Sequence, residues 1–222
     1  MTVNDEELIW IEAARRGDRN AFSRLVQVYQ VPVYNLCYRM LGNAPEAEEA
    51  AQETFLKAYT RLDTYKPSLK FRNWMLSIAS HHCIDRLRRR RFTWLSVEDE
   101  AMVSWLQSDD ESPEEAAMRS ERAETVRVLL NQLEPSYRAP LVLRYWHDLS
   151  YKEIADALDL TESAVKSRLH RARLQLGGLI EAQRAEAIQA AGTAYAEPAR
   201  QPAAAEVVSA NSRMSLARGY MP

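Results

Sequence analysis

Between residues 5 and 180 apolar side chains recur every three or four positions, strict apolar–polar alternation is almost absent, and Gly and Pro stand chiefly where the periodic runs end. A chain patterned in this way has one main option, an all-α fold. A first helix is expected over residues 5–16, closed by Gly17, and a second from Ala21 with Phe22, Leu25, Val26 and Tyr29 on one face. Pro32 should kink or break that helix before the pattern resumes through Val33, Leu36, Cys37 and Met40 to Gly42. Pro45 opens a third helix with acidic first turns and Phe55, Ala58 and Leu62 on its core side. A fourth, from about Phe71, should bury Met75, Leu76, Ile78, Ala79, Cys83 and Leu87. Residues 1–92 therefore read as one small helical bundle.

Residues 93–112 have few periodic apolar positions and read as an extended acidic linker. Ser112, Pro113 and Glu115 then supply cap, first-turn proline and capping-box acid for a new helix, whose buried stripe is expected to be Val126, Leu129, Leu130 and Leu133. Glu134, Pro135 and Ser136 turn the chain into the next helix, with Pro140 one turn inside it. A second bundle over residues 113–180 follows. Residues 181–222, rich in Ala with scattered Pro and Ser, read as a disordered tail or at most a short extension of the last helix.

Within the second bundle, residues 149–176 have the layout of a helix-turn-helix. Ser150 and Glu153 form a capping box, and Ile154, Ala155 and Leu158 give the first helix its apolar side. The turn carries Asp159 and Leu160 where glycine is the usual choice, and Asp tolerates the left-handed conformation better than most residues. Thr161 is placed to cap the second helix, with Val165, Leu169, Ala172 and Leu176 facing inward. Lys166, Ser167, His170, Arg171 and Arg173 are thereby turned outward, a cationic face suited to DNA.

The net charge of −2 is the sum of opposed blocks: residues 70–92 hold seven Lys or Arg against Asp85 alone, whereas residues 93–117 hold eight acids and no base. In the basic block, Trp74, Ser77, His81 and Arg88 lie opposite the apolar stripe. A basic helix interleaved with aromatics suits single strands, because aromatic faces stack on exposed bases at roughly 1–3 kcal/mol each. The same residues also fit a partly buried Trp74 and a solvated run from Arg88 to Arg91.

Cys37 and Cys83 lie far apart inside apolar patterns, so a disulfide framework is not expected and a reducing cytoplasm is. His81, His82 and Cys83 are consecutive and point in three directions, a poor metal triad, and no phosphate loop or nucleophile motif occurs. No enzymatic activity, cofactor, metal or small-molecule substrate is expected. The acidic start carries no long apolar run, so neither a signal peptide nor membrane insertion is expected.

Three stretches together resemble the extracytoplasmic-function (ECF) group of bacterial RNA polymerase sigma factors: EAEEAAQETFLKAY at residues 46–59, FRNWMLSIASHHCIDRLRRRR at 71–91, and the helix-turn-helix with LVLRYWHDLSYKEIA leading into it. The resemblance spans residues 5–179 and implies two domains that bind core RNA polymerase and promoter DNA, with an anti-sigma factor as regulator. It assigns Glu49, Gln52, Glu53 and Phe55 to docking on the polymerase clamp helices, although their acidic face fits a plain solvated surface equally well. It assigns Thr161, Lys166, Ser167, His170, Arg171 and Arg173 to the minus-thirty-five promoter element. Phe71, Trp74, Ser77, His81 and Arg88 fall where the group melts and captures the minus-ten element. His81 stands where relatives often hold an asparagine beside the flipped base. A stand-alone helix-turn-helix regulator is the alternative, but it has no need of the basic helix at 71–91.

Overall fold

A computed structural model describes residues 3–93 and 113–194, with side chains described for 6–90 and 121–189. Among the described residues every element is helical: α1 (Val3–Arg15), α2 (Arg19–Leu41), α3 (Ala44–Thr60), a 3-10 turn (Leu62–Thr64), α4 (Phe71–Thr93), α5 (Pro113–Gln132), α6 (Pro135–Trp146), α7 (Tyr151–Ala157) and α8 (Glu162–Ala194).

Local chemistry sets the first boundaries. Gly17 adopts φ 92°, ending α1, and the Asp18 carboxylate then accepts from the N–H groups of Asn20 and Ala21 at 2.8 and 3.2 Å to start α2. Gly42, in the left-handed region at φ 72°, closes α2, and Asn43 caps α3 by accepting from the Glu46 N–H at 3.0 Å. Helices α2, α3 and α4 pack around Leu25, Val33, Leu36 and Met40 of α2, Ala47, Ala50 and Ala58 of α3, and Met75, Leu76, Ala79 and Cys83 of α4. In the second half, Leu141, Val142, Leu143, Leu149, Ile154, Val165 and Leu169 are buried.

Four expectations need correction or restriction. Helix α2 runs unbroken through Pro32, because Tyr29, Val33, Leu36 and Cys37 keep one stripe buried across it. The carbonyl that loses its partner belongs to Val28, which is 49% exposed and so open to solvation. Val126 is 40% exposed rather than buried; among the described residues α5 gives the core Leu129 and Leu130 near its end, with Leu133 just beyond it. Helix α8 continues to Ala194, well into the segment read as a tail. The linker lies outside the described residues beyond Thr93, as does the tail beyond Ala194.

The larger departure concerns the relation of the two halves. Met1–Gln183 is one compact unit, and its buried apolar residues form one continuous cluster rather than two cores. Arg127 donates to the Gly42 carbonyl at 2.7 Å, and buried Arg138 donates to the carbonyls of Met40, Asn131 and Leu133. A Cβ at Gly42 would press on the Asn131 side chain, and the left-handed φ of 72° favours glycine at this junction whatever the space. A second unit begins at Arg184, and its described part, through Ala194, is helix.

Candidate nucleic-acid interface

The helix-turn-helix is α7, the turn at 158–161 and the start of α8. The Ser150 hydroxyl accepts from the Glu153 N–H at 3.2 Å while the Glu153 carboxylate accepts from the Ser150 N–H at 2.9 Å, closing the capping box. Asp159 takes φ 53°, the left-handed residue of the turn, and Thr161 Oγ1 accepts from the Ala164 N–H at 3.2 Å to cap α8. Val165, Leu169 and Ala172 are buried in the core, and Leu176 is partly so. That register leaves Thr161, Lys166, Ser167, His170, Arg171 and Arg173 exposed. Phenols from the second bundle brace the cations at long range: Arg171 and Arg173 donate to the Tyr137 and Tyr145 hydroxyls at 3.4 and 3.5 Å, and Lys166 lies 5.9 Å from the Tyr151 ring centroid.

On α4 the expected residues separate into different environments. Phe71 is 2% exposed, enclosed by the rings of Tyr29, Tyr65 and Trp74 at 5.5, 5.1 and 5.4 Å, so it is a core residue and not a surface one. It is the first residue of α4, and its side chain is turned into the core. Trp74 is half-buried, tilted against Phe71 and Tyr65, and Arg88 is exposed. Ser77 donates to the Ala157 carbonyl at 2.8 Å, and His81 Nε2 lies 3.6 Å from the Asp159 carboxylate. His81 Nδ1 donates to the Ser77 carbonyl at 3.0 Å. Ser77 and His81 thus face the helix-turn-helix, and the side that would meet unpaired bases is covered there.

Residues that sequence reasoning missed hold this cover in place. Lys70 and Asn73 donate to Glu153 Oε1 at 2.9 and 3.0 Å, adding two donors from α4 and its approach to a carboxylate already committed to the capping box. The Ser150 N–H is the largest influence on the Glu153 carboxyl and Lys70 the next, and together they lower its pKa to about 2. The spacing of Ser150 and Glu153 makes the cap legible; nothing local marks Lys70 or Asn73 as its partners.

The acidic face of α3 is largely answered from within. Glu49 pairs with Arg86, Glu46 with Arg90 at 3.0 Å, and Glu53 lies 3.7 Å from Lys57 and 3.3 Å from buried His82. Burial lowers the His82 pKa, with the Lys57 charge acting in the same direction. Gln52 is exposed, while Phe55, expected on the core side of α3 and assigned by the resemblance to polymerase docking, is half-buried against the core. Among the described residues no helix is long and apolar enough to cross a membrane.

Two family models match the chain, Sigma-70 region 2 over residues 25–93 and Sigma-70, region 4 over residues 123–176. The ECF RNA polymerase sigma factor SigW of Bacillus subtilis is 36% identical over 169 residues, spanning 73% of this chain and 90% of that protein. The RNA polymerase sigma-H factor of Pseudomonas aeruginosa is 34% identical over 179 residues, 78% of this chain and 93% of that protein. Among solved structures, CnrH in complex with the cytosolic domain of CnrY matches 80% of this chain and 99% of its own, at 27% identity and a TM-score of 0.59. The sigma factor RpoE of Bartonella quintana, in complex with the anti-sigma factor NepR, shares the fold over 72% of this chain and 96% of its own, with a TM-score of 0.57 at 20% identity.

Proposed function

This chain belongs to the ECF group of the sigma-70 family of bacterial RNA polymerase sigma factors, and from that premise we propose how its surfaces share the work of starting transcription. Residues 1–92 bind core polymerase and read the minus-ten element, residues 93–112 connect, and residues 113–180 read the minus-thirty-five element. The observation that carries this reading is the outer face of α8, where Thr161, Lys166, Ser167, His170, Arg171 and Arg173 stand exposed over a fully apolar inner face. In the major groove each good base contact contributes about 1–3 kcal/mol of discrimination.

For the minus-ten element, Trp74, Ser77, His81 and Arg88 are the readers, and Phe71 acts from beneath by holding Trp74. Since Ser77 and His81 face α7 and its turn, the packed unit is the state that precedes promoter engagement. Glu49, Gln52 and Glu53 supply the docking face for polymerase, with half-buried Phe55 shaping it. An anti-sigma protein holds the factor inactive; support comes from the group itself and from the solved pairing of RpoE with NepR. The protein works in the cytoplasm as an initiation factor and not as an enzyme.

The test is reconstitution. Mixed with bacterial core polymerase, the chain should co-elute with it and render promoter thymines reactive to permanganate, whereas neither component alone should do so. Tight specific binding of duplex promoter by the chain alone, without association or melting when core enzyme is added, would instead establish the stand-alone regulator.

A further inference from the structure

Where the two bundles meet there is a cavity of about 200 Å³, lined among others by Asn35 and Arg39 of α2, Arg72 of α4, and Trp146 and His147 at the end of α6. It is smaller than the ~300–1,000 Å³ of sites for drug-sized ligands. No carboxylate lines it, while two guanidinium groups and an imidazole do.

The polar atoms at this cavity are donors in excess. Arg72 donates to the His147 carbonyl at 2.9 Å and, through its other terminal nitrogen, approaches His147 Nδ1 at 3.5 Å. A guanidinium can only donate, so Nδ1 accepts and the imidazole proton sits on Nε2. That Nε2 is buried without a protein partner, and so is Nε of Arg39. The Arg39 guanidinium is held 4.9 Å from the Trp146 ring centroid, and His147 is 3% exposed. Both atoms are enclosed rather than open to the cavity, whose lining brings together the charges of Arg39 and Arg72 with no carboxylate against them.

We propose that this cavity binds a small oxyanion, a phosphate or carboxylate group held by the charges of Arg39 and Arg72 beside His147. Because α2 and α4 come from one bundle and Trp146 and His147 from the other, the bound ion ties the bundles together. The binding stands apart from the promoter reading. Only its consequence, that the ion favours the packed state and opposes promoter engagement, rests on the proposed function.

His147 reports on occupancy directly. Burial, then the charges of Arg72 and Arg39, lower its pKa to about 4 against a weak opposing pull from Asp148, so an arriving anion should raise it. The experiment titrates the full chain with inorganic phosphate and, separately, with acetate, both against chloride at equal ionic strength. It follows thermal unfolding and the His147 side-chain resonances. Phosphate or acetate should raise the melting temperature and move the His147 Nε2 signal, the stronger of the two identifying the group preferred. Arg39→Gln should weaken that response at least tenfold, and Arg72→Gln serves if the first variant does not fold. A response matched by chloride, or unchanged in a folded variant, or absent at His147, would overturn the site. So would a His147 shift produced by promoter oligonucleotide but not by free phosphate, which would give the cavity to the DNA backbone. If phosphate binds as expected yet promoter opening with core polymerase is indifferent to it, the site stands and its regulatory consequence fails.

Discussion

Glu153 carries two structural duties on one carboxylate: Oε2 closes the capping box of α7 and Oε1 receives Lys70 and Asn73 from the first bundle. A carboxyl whose folded pKa is lowered, here to about 2, contributes stability that is fully present above its unfolded value near 4.5 and is lost as pH falls through about 2. Glu153→Gln should therefore destabilise the chain at neutral pH by up to about 1.5–3 kcal/mol, the range for hydrogen bonds to charged groups. The gap to the native chain should close between about pH 4.5 and 2. Urea unfolding of both proteins across that range is the check, and a gap independent of pH would mean that the carboxylate's charge is not what matters. Half of this residue is legible in the sequence, because a capping box needs only a spacing of three. The other half depends on Lys70 and Asn73, brought in by packing that no local pattern announces.

At the scale of elements, α8 repeats the division between what periodicity reveals and what burial decides. The inward set Val165, Leu169 and Ala172 is fixed by helical spacing, and the outward cations follow from it. Helix α2 shows the limit: Pro32 has a local cost of about 3 kcal/mol in a helix interior, yet the stripe buried on both sides of it outweighs that cost. Val126 shows the same limit from the other side, since the apolar pattern of α5 says that a stripe exists but not which of its residues meet a partner. For the recognition element the expected outcome is specific. Arg171→Ala should reduce binding to the cognate minus-thirty-five element by about 1–3 kcal/mol and relax selectivity at one or two positions if its contact is a base edge. A uniform loss over all sequences, measured with a library of upstream elements, would reassign Arg171 to phosphate. The long bond from Arg171 to the Tyr137 hydroxyl is weak enough to yield to either.

For the whole molecule the decisive quantity is a distance. Ser77 touches the Ala157 carbonyl at 2.8 Å, and α8 begins at Glu162, five residues further on. Five residues of extended chain span at most about 18 Å, so in the packed unit Ser77, on the proposed minus-ten face of α4, lies within roughly 20 Å of the start of the proposed recognition helix. Two promoter elements about two duplex turns apart are separated by roughly 70 Å. The packed unit cannot touch both, whereas residues 93–112, twenty in number, reach about 70 Å when extended. The contacts that must part are polar ones, such as Ser77 to Ala157 and Lys70 and Asn73 to Glu153, together with the apolar packing of α2 and α4 against α5, α6 and α7. Polymerase docking and two promoter contacts must together outweigh them. Cysteines introduced at exposed Ser23 and Gln175 accept a donor and an acceptor dye, because the native Cys37 and Cys83 are buried and protected from the label. Energy transfer should fall from its free-chain value when core polymerase and promoter are added together. Unchanged transfer in a complex whose promoter thymines have become permanganate-reactive would show that the bundles never separate, and that the cover over Ser77 and His81 is no barrier to reading the promoter.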